Sequence, residues 1–226
     1  MGTAARPMED LVSNSWTIRR MVAAAALGAA LFAGHAQANV AADDVQTCVD
    51  ESGDVAIAAC TRAIASGQFR GDDLAGLYQN RAIEYKHKGD LDRALADYAE
   101  AIVLSPSVGC YVCRGIAWMA KGDLVRAIAD LDQAIKLNPK YVKAYYARGI
   151  AWNAKGDHDR AIADYSEAIR LDPKYAAAYY NRGIDLERKG DLQRALADFK
   201  KFTELDSSDP DGRAAVARVA KALNGG

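Results

Sequence analysis

Four cysteines and three histidines are the side chains in this 226-residue sequence whose types could support redox, metal or nucleophilic chemistry. Cys48 and Cys60 lie on either side of a Gly53-Asp54 turn, so an antiparallel helical hairpin brings them abreast and a structural disulfide is expected. Cys110 and Cys113 form a C-x-x-C in the first turns of a helix, where the positive end of the helix lowers a thiol pKa. Three readings stay open for this pair: a second disulfide, packed thiols, or thiol chemistry. No βαβ pattern surrounds it, which counts against redox catalysis, and Arg114 rather than His follows, which counts against covalent haem. Zinc would find only two local cysteines, because His87 and His158 belong to other turns and His35 lies in a leader segment. There is no Gly-rich phosphate loop, no His-x-x-x-His and no supported Ser-His-Asp set. The expectation is a protein that is not an enzyme and that has no metal site and no cofactor.

Composition narrows the class further. About half the residues are apolar, enough for a sizeable core, and 29 Lys and Arg balance 30 Asp and Glu, which argues against a nucleic-acid partner. Arg19 and Arg20 precede an apolar run from Met21 to Phe32, and Ala36-Gln37-Ala38 follows as an Ala-x-Ala exit. A helix needs roughly 20 apolar residues to cross a bilayer, so this shorter run reads as a Sec-type signal peptide, residues 1–38, cleaved after Ala38. Its removal leaves 26 Lys and Arg against 28 Asp and Glu and no integral membrane span. The expected location is the bacterial periplasm or the medium beyond it.

The elements that must position these residues repeat. Arg81, Arg114, Arg148 and Arg182 recur at intervals of 33, 34 and 34 residues. So do the turns Lys88-Gly89-Asp90, Lys121-Gly122-Asp123, Lys155-Gly156-Asp157 and Lys189-Gly190-Asp191, each leading into an Arg-Ala-x-Ala-Asp or closely similar run. Each turn supplies a cation for the end of one helix, a Gly able to take positive φ, and an Asp to cap the next. Ser105-Pro106, Asn138-Pro139 and Asp172-Pro173 read as an N-cap residue and a first-turn Pro opening the following pair. Gly115, Gly149 and Gly183 fall in mid-helix, where Gly costs about 1 kcal/mol against Ala, so close helix approach must offset them. Ala127 and Ala134, like Ala161 and Ala168, share a helix face and leave notches for Trp118, Leu131, Trp152 and Tyr165. Because the arginines and Asp97, Asp130, Asp164 and Asp198 each occur once per unit, they are expected to pair.

Tyr145, Gly149, Trp152, Ala161, Tyr165, Ala168 and Pro173 resemble the tetratricopeptide repeat, as do Tyr111, Gly115, Trp118, Ala127, Leu131, Ala134 and Pro139. The first unit departs at Ala82, and the fourth has Phe202 and Ser207 in place of Ala and Pro. The resemblance implies an all-α fold, an α-solenoid of antiparallel helix pairs wound as a right-handed superhelix. The expected organisation is an N-terminal helical hairpin and linker over 39–71, four units over 72–207 (75–107, 108–141, 142–175 and 176–207), and a capping helix and tail over 208–226.

In that family the first helix of each pair lines a concave binding wall. Its groove positions fall here on Gln79, Ile83, Lys86, Val112, Ile116, Met119, Lys143, Tyr146, Ile150, Asn153, Tyr180, Ile184, Glu187 and Arg188. Adjacent tyrosines, Tyr145 with Tyr146 and Tyr179 with Tyr180, point about 100° apart on a helix, so one of each pair is expected to face the groove. The competing reading packs Ile83, Ile116, Ile150 and Ile184 between neighbouring helices. Gln79 and Ile83 stand where the family's clamp for acidic C-termini needs other residues. The functional expectation is a scaffold that captures a peptide or partner helix; the alternative is a thiol-dependent assembly factor or chaperone using Cys110 and Cys113.

Overall fold

The computed structural model describes residues 35–225, so residues 1–34 of the expected leader lie outside the described part. Eleven α-helices and no strand occur among the described residues. They are α1 (His35–Asp50), α2 (Gly53–Ala65), α3 (Gly71–His87), α4 (Leu91–Leu104), α5 (Val108–Ala120), α6 (Leu124–Leu137), α7 (Val142–Ala154), α8 (His158–Leu171), α9 (Ala176–Arg188), α10 (Leu192–Leu205) and α11 (Pro210–Asn224). The fold is all-α, and within each of its two compact units consecutive helices pack against one another. No described helix is long and apolar enough to cross a membrane. Two compact units divide within α6, one ending at Asp130 and the other running from Leu131.

The turns inside the pairs follow the sequence chemistry. Gly89, Gly122, Gly156 and Gly190 take φ between 78° and 84°, a left-handed conformation that favours glycine. Asp90, Asp123, Asp157 and Asp191 then accept the backbone N–H of Arg93, Arg126, Arg160 and Arg194 in turn. Between pairs, the expectation fails. Ser105, Asn138 and Asp172 do not open helices; their own N–H groups still donate to Ala101, Ala134 and Ala168, so each closes the preceding helix. The side-chain Oδ1 atoms of Asn138 and Asp172 accept the backbone N–H of Lys140 and Lys174 two residues on, at 3.0 and 2.9 Å, forming turns with Pro in the middle. The next helices start only at Val108, Val142 and Ala176, with Ser107 accepting Cys110 N–H at the first of them. Asp209-Pro210 does open a helix, with the Asp209 side chain capping and Pro in the first turn.

In the unit ending at Asp130, α1 and α2 form a hairpin joined by the Cys48–Cys60 disulfide, with Cα atoms 4.8 Å apart. The hairpin buries Val45, Ala59 and Ala63 against Leu77 of α3, and Asp44 pairs with Arg62 across it. A closed loop of this size is worth about 3 kcal/mol in the chain-entropy model. Reduction should therefore raise amide exchange in α1 and α2 well before α3 to α5; even acceleration across all five helices, read by hydrogen-exchange mass spectrometry, is the contrary result.

In the unit from Leu131, the mid-helix glycines do what the pattern requires. A Cβ at Gly149 would lie 2.6 Å from Cε1 of Tyr165, and one at Gly183 would lie 2.9 Å from Cε1 of Phe199. Ala161, Ala168, Ala178 and Ala195 are fully buried, which is how the backbones come close enough for the rings to fill the notches. Phe202 closes the end of the array against Ala215 and Val219 of α11.

Candidate functional site

The repeated arginines meet the repeated aspartates as the spacing predicts. In every unit the guanidinium donates through Nε and Nη2 to both carboxylate oxygens: Arg81 to Asp97, Arg114 to Asp130, Arg148 to Asp164 and Arg182 to Asp198, all at 2.7–2.8 Å. Each pair ties the first helix of a unit to its second. Three arginines reach back as well, Arg81 to Thr61, Arg148 to Asp132 and Arg182 to Ser166, so one side chain spans three helices. These cations are consumed by the framework and do not form an anion site.

Groove positions divide into buried and accessible ones. In the unit ending at Asp130, Gln79, Ile83, Val112 and Ile116 are buried, while Lys86 and Met119 are half-buried. Burial pushes the Lys86 ammonium down from its ordinary pKa, against a smaller opposing effect of Cys113. In the unit from Leu131, Tyr146, Tyr180 and Ile184 are buried, Lys143, Ile150, Asn153 and Glu187 are half-buried, and Arg188 is exposed.

The tyrosines correct the expectation. Tyr146 is 1 % exposed, its ring lies 5.9 Å from that of Tyr165 and 5.0 Å from that of Tyr175, and its hydroxyl accepts Asn181 Nδ2–H at 2.9 Å. Tyr180 is enclosed by Phe199 and Phe202. Their companions Tyr145 and Tyr179 lie under Arg148 and Arg182. Neither member of either pair is an open groove anchor: the second helix of the pair covers Tyr146 and Tyr180, with Tyr175 and Asn181 adding to the cover of Tyr146, and an arginine lies over each companion. Three of the four isoleucines are likewise packing residues, leaving Ile150 as the partly exposed one. Glu187 accepts two bonds from Arg218 of α11 and so pins the capping helix.

Cys110 and Cys113 are both unbridged thiols on α5. The expected depression of a thiol pKa does not occur at Cys110. Burial pushes it up to about 11, overriding Ser107 and Arg114, and its Sγ donates to Gln79 Oε1 at 3.0 Å. A thiol held protonated is a packing group, which removes the physical basis for a nucleophilic Cys110. Among the described residues no group of three or more His, Cys, Asp or Glu side chains could hold a metal ion.

One cluster was not singled out by sequence reasoning. Asp185 on α9 has a fully buried side chain, and its Oδ1 takes His158 Nδ1 at 2.8 Å, the Asn153 side-chain amide, and Arg188 at 3.6 Å. Its Oδ2 has no hydrogen-bond partner. A signal was present: aligning the repeats puts Asp185 where Ala117 and Ala151 stand, and a carboxylate replacing a buried alanine marks a special position.

Family models described as TPR repeat match residues 115–152 and 153–190, and models described as tetratricopeptide repeat match 75–108 and 176–209, together more than half the chain. No curated protein sequence matches. Among solved structures, MamA is similar at 28% identity, covering 68% of this chain and 88% of its own, with a TM-score of 0.62. YrrB, a TPR protein with an unusual peptide-binding site, is 20% identical over 71% of this chain and 81% of its own, with a TM-score of 0.59. The first TPR of Spaghetti (RPAP3), bound to an HSP90 peptide, is 20% identical over 53% of this chain and 95% of its own, with a TM-score of 0.51.

Proposed function

Because the chain belongs to the tetratricopeptide-repeat family, we propose that it is a non-enzymatic protein-interaction scaffold, acting outside the cytoplasm, whose first-helix faces capture a peptide or a partner's helix. The repeat family and the peptide complexes known for proteins of this fold support interaction with protein or peptide partners. The observation that carries the finer reading is the mixed face of α7, where Lys143, Ile150 and Asn153 stay partly exposed at helical spacing while Ala144, Tyr146, Ala147, Gly149 and Ala151 are buried. An apolar residue flanked by polar ones suits burial of one partner side chain with the flanks setting register. Export is supported by the leader pattern and by the Cys48–Cys60 disulfide, which persists in oxidising compartments. No observation favours a thiol-dependent role for Cys110 and Cys113.

A photoreactive amino acid at Ile150 should link a partner polypeptide in cells, whereas the same group at Val103, 79% exposed on α4, should not. Equal labelling from the two positions overturns the reading. Tyr146 is unsuitable for this test, since its burial would confound capture with folding.

A further inference from the structure

Asp185 does something the repeat does not need. Ala117 and Ala151 occupy the same repeat position and are fully buried, so pairs stack there without a carboxylate. In the first repeat the equivalent Glu84 accepts the N–H of Gly53 at 2.8 Å and so serves the start of α2. Asp185 accepts no backbone N–H. Its contacts instead join three helices: Asn153 from α7, His158 from α8 and Arg188 from its own α9. The titratable and charged groups that face it are His158 and Tyr165 from α8 and Arg188 from α9; α7 contributes the neutral Asn153. Asn153 and Arg188 are also among the accessible residues of the inner face in this unit.

We propose that Asp185 is a pH-responsive latch of that inner face: ionised, it gathers Asn153, His158 and Arg188 onto itself, and protonated, it releases its hold on them. Two demands on the side chain conflict. A carboxylate with no exposure and one oxygen unpaired is costly to bury, so packing favours the neutral acid. Attraction to Arg188 and to a protonated His158 needs the ion. Burial dominates and pushes the carboxyl above its ordinary range, with His158, Arg188 and Asn153 opposing. A group whose folded pKa lies above its unfolded one contributes stability that is fully present below the unfolded pKa and is lost as pH rises through the folded pKa. Acidification therefore relieves the packing cost at Asp185 while it frees the contacts made to Asn153 and Arg188. This deepens the reading of the inner face as a binding surface, and rests on that reading only for its consequence; the latch itself is measured on the free protein.

The test is a carbon-detected NMR titration of the full mature chain, with melting curves across pH for the wild type, Asp185→Asn and His158→Gln. Asp185 should titrate above the ordinary value of about 3.9, and the side-chain signals of Asn153 and Arg188 should move with the same midpoint. His158→Gln, which keeps a hydrogen-bonding group but no charge, should raise that midpoint further. Asp185→Asn should melt above the wild type at neutral pH, with the gap closing toward pH 3. An Asp185 midpoint at or below the ordinary value, unresponsive Asn153 and Arg188 signals, or parallel melting profiles would each overturn the proposal. None of these outcomes touches the crosslinking result from Ile150, so the two readings fail separately.

Discussion

Gly149→Ala should destabilise the wild-type protein and yet be neutral or stabilising once Tyr165 is changed to Leu. In an open helix the added methyl group gains about 1 kcal/mol. Here it would sit 2.6 and 2.8 Å from Cε1 and Cδ1 of Tyr165. The ring has little freedom to yield, because it is fully buried and Tyr146 lies against it with centroids 5.9 Å apart. Overpacking of this kind costs about 1–3 kcal/mol, which outweighs the helix gain. Tyr165→Ala alone should cost about 3–5 kcal/mol, the usual range for emptying a buried aromatic site. Urea unfolding of the two single variants Gly149→Ala and Tyr165→Leu, their double variant and the wild type would read the coupling directly. If Gly149→Ala raises the unfolding midpoint in both backgrounds, the glycine is not there for the ring.

Asp164→Ala should be comparably damaging, at about 3–5 kcal/mol, because it strands a charge that the packing has enclosed. Arg148 and Asp164 side chains are 22% and 9% exposed, and the guanidinium would keep only its bond to Asp132. Replacing both members by apolar side chains, Arg148→Met with Asp164→Leu, should cost far less than Asp164→Ala, since no uncompensated charge remains. The surface pair Arg160 with Asp157 gives the contrast: with Arg160 62% exposed, losing the pair should shift stability by only about 0–1 kcal/mol. Denaturant midpoints at two ionic strengths would separate the cases, as salt screens the exposed pair and leaves the enclosed one nearly unchanged. Equal effects of Asp164→Ala and of breaking the Arg160 pair would mean the ladder is ornamental to stability.

How much of this could be read from residues alone depended on whether a signal had one physical meaning. Lys-Gly-Asp has one, because a positive-φ glycine followed by a capping aspartate both ends a helix and starts another, and all four such turns form. The Arg and Asp series also had one, since two opposite charges repeating at the same period must either meet or be wasted. Asn138-Pro139 and Asp172-Pro173 have two meanings. The same dipeptide can open a helix or cap a turn that closes one, and only the N–H groups of Lys140 and Lys174 decide between them. The tyrosine pairs failed for a related reason. Helical geometry shows that Tyr145 and Tyr146 diverge, but not that Tyr175, 29 residues further on, returns to cover Tyr146. Cys110 shows desolvation defeating a helix terminus, a balance that burial alone determines.

Phe202 bears on how such an array could be lengthened. Ordinary repeats carry alanine at its place, as at Ala101, Ala134 and Ala168, and the next helix then presents another alanine, as at Ala144 and Ala178. Opposite Phe202 stands Gly212, where a methyl group would come within 2.6 Å of the ring. A duplicated module grafted behind residue 207 would bring alanine to that spot and collide, while one spliced in ahead of Leu192 would meet only partners it already knows. An added repeat is therefore expected to be tolerated ahead of Leu192 and to destabilise the protein behind residue 207.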